Sequence, residues 1–105
     1  MHGFRTVWKE EVNFRIEAII ASVLVVMGVV LSFSLIEWII LLGATGAVLA
    51  AEILNTAVED LCNKIEPKFD PAIGKVKDLM AGFVLFVAGG AVLIGVLLIT
   101  YHFYK

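Results

Sequence analysis

From Ala18 to Leu35 the chain carries no charged residue, and the same holds from Leu79 to Tyr101; each run approaches the roughly 20 residues a helix needs to cross a bilayer. A third stretch, Trp38 to Val58, is apolar in its first half but holds Glu52, Asn55 and Thr56 in its second. A carboxylate near a helix centre in hydrocarbon costs on the order of 2.5–3.5 kcal/mol, so Glu52 reads as functional and as turned toward a buried or watered surface. Ahead of the spans, Phe4, Val7 and Trp8 share one sector at about 100° per residue while Arg5, Lys9 and Asn13 take the other, which predicts a short amphipathic surface helix. Glu11 falls among the apolar positions, where either the amphipathic stretch has ended or the side chain meets a polar interior. The expected organisation is one all-α integral membrane domain: surface helix 1–15, first span 16–36, second span 38–60, cytoplasmic connection 61–77 and third span 78–101.

Composition agrees with this reading. At 105 residues and 61% hydrophobic, the chain is too apolar for a soluble domain of its size and long enough for three spans. The positions of the charges say more than their sum of −2, and nothing in them suggests nucleic acid as a partner. The turn after the first run has no Lys or Arg, whereas the connection from Glu59 to Asp78 holds Lys64, Lys68, Lys75 and Lys77. The positive-inside bias makes that connection cytoplasmic and, through Arg5, Lys9 and Arg15, puts the N-terminus on the same side; Lys105 alone opposes it. The expected location is a multi-pass position in a membrane with the N-terminus on its cytoplasmic side. One cysteine, Cys62, excludes an internal disulfide, no Cys/His group has metal-ligand spacing, and the N-terminal residues lack the pattern of a removable signal peptide. Small residues recur every fourth position in Gly43/Ala47/Ala51, Gly46/Ala50 and Gly28/Ser32, a pattern that lets helices approach closely in lipid. Three short helices enclose little volume, so the polar side of the second span is most easily hidden by oligomerisation.

Taken as a helix, the second span sets Asn55 at roughly −60° from Glu52, Glu59 at about −20° and Asn63 at about +20°, one narrow stripe. Glu59 lies about 10 Å nearer the cytoplasm than Glu52, which separates a deep carboxylate from one at the surface. Near that surface come Glu11, Arg15 and Glu17 before the first span, and Lys75, Lys77 and Asp78 before the third. Hard cations take carboxylate oxygens and Lys offers a point charge for phosphate, so this set suits phosphoryl transfer. Familiar nucleotide loops are missing, since Gly74-Lys75 has no Gly five residues before Gly74 and Gly89-Gly90 lies inside the third span. His2 and His102 read as interfacial.

The segment Glu52-x-x-Asn55-Thr56-Ala57-x-Glu59, preceded by Glu11-x-x-Phe14-Arg15-x-Glu17 and followed by Gly74-Lys75-Val76-Lys77-Asp78, resembles the prokaryotic diacylglycerol kinase family, which includes the undecaprenol kinases. The resemblance covers nearly the whole chain. It implies a homotrimer of three-span subunits with a surface helix, phosphorylating a lipid alcohol from MgATP at the cytoplasmic face, with sites shared between subunits. Glu52 would then be the general base on the lipid hydroxyl and Asn55 its orienting partner. Glu11 and Glu59 would hold the Mg2+ that accompanies ATP, and Arg15, Asn63, Lys77 and Asp78 would complete the nucleotide site. Asn63 stands where the family usually has Asp, which implies a weaker contact there; Asp70 replaces a common His, and Glu17 stands where the undecaprenol kinase branch often has His. The lipid is left as undecaprenol or diacylglycerol. Two other readings use the same residues: a small proton-coupled multidrug exporter working through Glu52, and an inactive structural subunit.

Overall fold

The structure is a computed structural model that describes residues 12–65 and 71–105. Glu11 and most of the expected surface helix lie outside the described residues. Everything regular within them is helical: α1 (Val12–Val30), α2 (Leu35–Ile65) and α3 (Pro71–Tyr104). Among the described residues α2 packs against both α1 and α3, while α1 and α3 make no close approach to each other.

Local chemistry sets the helix ends. α1 stops although the apolar run continues, because Ser32 adopts a left-handed backbone with φ of 56°. The Phe33 N–H then reaches back to the Gly28 carbonyl at 2.9 Å and the Ser32 N–H to the Val29 carbonyl at 3.2 Å, the two bonds of a Schellman ending with serine where glycine is usual. Two residues later α2 opens on a reciprocal cap: the Glu37 N–H donates to Ser34 Oγ at 3.3 Å and the Ser34 N–H donates to Glu37 Oε1 at 2.9 Å. α3 begins at Pro71, whose fixed φ and missing N–H suit a first helical position.

The helix ends do not coincide with the boundaries drawn for the spans: a turn from Leu31 to Ser34 falls within 16–36, α2 starts before residue 38 and continues past 60, and residues 61–65 and 71–77 of the connection are helical. At about 1.5 Å per residue, α2 (31 residues) and α3 (34 residues) exceed the roughly 30 Å of a hydrocarbon core, and both are apolar enough to cross it. Their apolar side chains are largely uncovered: Phe86 is 82% exposed, and Leu79, Leu85 and Val92 are also open. Water would not tolerate so continuous a surface, and a bilayer would.

One cluster of covered apolar residues lies near the α1–α2 turn. Phe33, Leu41 and Leu98 are buried there with Leu24, Leu31, Trp38 and Ile99 against them. Phe33 meets the Trp38 ring edge-on at 5.8 Å and the His102 ring at 5.0 Å. Gly28 permits this closeness, since a Cβ there would sit 2.7 Å from Trp38 Cη2 and 3.1 Å from Phe33 Cδ2. Within this cluster Glu37 is 0% exposed. Besides the Ser34 N–H, its Oε1 accepts Lys105 Nζ at 2.7 Å, and its Oε2 lies 2.7 Å from His102 Nδ1. A carboxylate can stay buried only when paired this fully, so Glu37 ties the last turn of α3 to the first turn of α2.

Candidate functional site

The expected stripe follows α2 through a gradient of burial. Glu52 is 5% exposed, Asn55 is half-buried, Thr56 is 6% exposed, and Glu59 and Asn63 are open. Toward its C-terminal end α2 leaves Glu59, Asp60, Leu61 and Asn63 exposed, while Cys62, on the sector beside them, stays buried at 5% exposure. The covering comes from within the single chain, so hiding Glu52 does not itself require a second copy.

At the open end the first turns of α3 join the stripe. Lys77 Nζ donates to Asn63 Oδ1 at 2.6 Å, so a cation on α3 sits one turn past Glu59 on α2. The amide accepts one of the three ammonium protons and leaves the positive charge uncancelled. Asp78 is exposed beside Lys77, and Arg15 is half-buried near the start of α1. Lys77 and Asn63 are thus brought together, while Glu11 lies outside the described residues.

Glu17 is half-buried and lines a cavity of about 310 Å³ together with Leu24, Val48, Leu49, Ala91 and Leu98.

The motif also holds a residue that was given no role. Thr56 is buried between the two carboxylates of the stripe, and its Oγ1 has no hydrogen-bond partner. No sequence pattern distinguishes such a threonine from one bonded to its own helix.

Chemically, this end offers a buried carboxylate, a second carboxylate exposed at the surface and an ammonium group. Among the described residues no three His, Cys, Asp or Glu side chains converge to hold a metal by themselves. Glu59 still fits a cation carried in on phosphates, because its hard oxygens need supply only part of the coordination.

Comparison with known proteins bears on the same residues. The family model for prokaryotic diacylglycerol kinase matches residues 1–99. The undecaprenol kinase of Bacillus subtilis (strain 168) is 33% identical over 101 residues, covering 93% of this chain and 82% of that protein. The diacylglycerol kinase of Escherichia coli (strain K12) is 30% identical over 101 residues, covering 96% of this chain and 83% of that protein. A shorter match of 31% over 78 residues reaches the diacylglycerol kinase of Haemophilus influenzae, with 74% of this chain and 66% of that protein covered. With a deep carboxylate, an open one and a lysine at one end of two apolar helices, and with the family model matched along almost its whole length, the chain belongs to the prokaryotic diacylglycerol kinase family.

Proposed function

We propose that the chain transfers the γ-phosphoryl group of MgATP to the hydroxyl of a membrane lipid alcohol, undecaprenol or diacylglycerol, at the cytoplasmic face. The observation that carries this reading is the burial gradient on α2, from Glu52 at 5% exposure to Glu59 and Asn63 in the open. A lipid hydroxyl reaches the reaction from inside the membrane and a nucleotide reaches it from water, so the site needs a group of each kind on one helix.

Glu52 takes the proton of the lipid hydroxyl as its oxygen attacks, and Asn55, less than one turn away, orients that carboxylate. Glu59 and Glu11 would hold the Mg2+ that accompanies ATP, which would offset charge on the phosphates. Lys77, steadied by Asn63, faces the phosphates with its free protons, and Asp78 and Arg15 complete the nucleotide contacts. Phosphoryl transfer asks little else of a protein than positioning and charge stabilisation.

We further read α1 as the first of three spans, with the N-terminus and the α2–α3 connection cytoplasmic and the C-terminus outside, in the bacterial inner membrane. A homotrimer is supported by the small residues on α2: a Cβ at Gly43 or Gly46 would meet nothing within 4 Å, so this part of the close-packing row is unused inside one chain. The exporter alternative finds no support in the family match, and it gives Glu59 and Lys77 no task.

The test is transfer of labelled phosphate from MgATP by purified, folded protein, offered undecaprenol and diacylglycerol in parallel, with Glu52→Gln as the blank. Transfer to either lipid that is lost in the variant supports the reading and names the substrate. No transfer to either lipid sinks it.

A further inference from the structure

Four hydroxyl side chains within the helices show the choice open to such a group in an apolar setting. Ser22 Oγ donates to the Ala18 carbonyl at 2.9 Å, Thr45 Oγ1 to the Leu41 carbonyl at 2.9 Å and Thr100 Oγ1 to the Val96 carbonyl at 2.8 Å, each one turn back along its own helix. That bond answers the need of a hydroxyl in hydrocarbon. Thr56 lacks it. The Glu52 carbonyl lies at the same four-residue spacing, yet Thr56 Oγ1 bonds neither to it nor to anything else. Thr56 is also better covered than the other three, at 6% exposure, so water does not answer the need in their place.

A buried polar atom left unsatisfied costs stability, and its persistence calls for an explanation. Its place supplies one. Thr56 stands one turn from Glu52 toward Glu59, at about +40° from Glu52 around the helix axis, so it lies between the deep carboxylate and the open one. On the kinase reading the attacked phosphorus must also lie between them.

We propose that the Thr56 hydroxyl is held for the reaction, donating its hydrogen bond to a non-bridging oxygen of the transferring phosphoryl group. This deepens the lipid-kinase reading and rests on it. In the step, the lipid O–H bond breaks and its proton passes to Glu52; the lipid oxygen forms a bond to phosphorus, and the bond from that phosphorus to the bridging oxygen of ADP breaks. Thr56 keeps its own proton throughout and lends it to an oxygen on which negative charge is redistributed, where a fixed donor away from water acts most strongly.

The test pairs activity with stability in Thr56→Val, which keeps the shape and removes the hydroxyl, and in Thr56→Ser, which keeps the hydroxyl. Expected for Thr56→Val is a fall in kcat on the order of 100-fold with the KM for MgATP little changed, while the midpoint of thermal unfolding stays level or rises. Thr56→Ser should restore most of kcat. A Thr56→Val enzyme within threefold of the parent overturns the proposal, as does a lowered unfolding midpoint, which would make the hydroxyl structural. If the parent protein phosphorylates neither lipid, the kinase reading itself fails and this one with it; a working parent with an equally active Thr56→Val variant removes only the role of Thr56.

Discussion

Glu52 and Glu59 are the same residue type on the same side of one helix, seven positions apart, and burial alone separates their chemistry. A carboxylate that water cannot reach is suited to accept a proton from a lipid hydroxyl, and one that water can reach is suited to share a hydrated cation with phosphate. Glu52→Gln should therefore cut kcat by about 10²- to 10⁴-fold and leave the KM for MgATP nearly unchanged. Glu59→Gln should instead raise that KM and weaken the dependence on Mg2+, with a smaller effect on kcat. Steady-state kinetics on both variants check the split, and equal losses in both parameters would refute it. This pair was legible in the sequence because the 3.6-residue period brings positions 52, 55, 59 and 63 into line without any tertiary knowledge. Glu37 was not legible in the same way, since two of its partners, His102 and Lys105, lie at the far end of the chain and only folding brings them to it. Lys77 on Asn63 is intermediate: sequence placed both near the cytoplasmic surface, but only the packing of α3 on α2 joins them.

At the level of elements, one difference between expectation and structure lies in the turn between α1 and α2. The apolar pattern runs on through Leu31, Phe33 and Leu35, so hydropathy gives no sign that a helix ends there. The backbone ends it, through a serine in a conformation that L-residues avoid at a cost of roughly 1–2 kcal/mol. Had position 32 been glycine, the ending would have been readable; Ser34-x-x-Glu37, by contrast, is a capping pattern that sequence does display. Ser32→Gly should remove the strain at some cost in unfolded-chain entropy, for a net stabilisation of roughly 0.5–1 kcal/mol. Thermal unfolding in detergent would register this as a rise of a few degrees. A fall would mean that the Ser32 side chain makes an interaction worth more than the strain it carries.

Across the whole molecule the charges divide into two ends, and the division bears on how the chain lies in the membrane. Of the eight Lys and Arg residues, all but Lys105 belong to the N-terminal segment or to the region from Lys64 to Lys77. Lys105 was the one charge that opposed a cytoplasmic N-terminus, but it is bound to the buried Glu37 carboxylate at 2.7 Å. One lysine at that end still stands against the cationic excess of the other segments, and that excess supports the proposed orientation. The orientation can be tested with Tyr104→Cys and Lys64→Cys, each made in a Cys62→Ala background. Both sites are solvent-accessible, with Tyr104 86% exposed, and neither takes part in the Glu37 cluster or the α2 stripe. A membrane-impermeant maleimide added to intact spheroplasts should label the Tyr104→Cys protein at once and the Lys64→Cys protein only after the membrane is opened. The opposite pattern would put Glu59 and Lys77 on the side where ATP is absent, and a lipid kinase of the kind proposed could not work there.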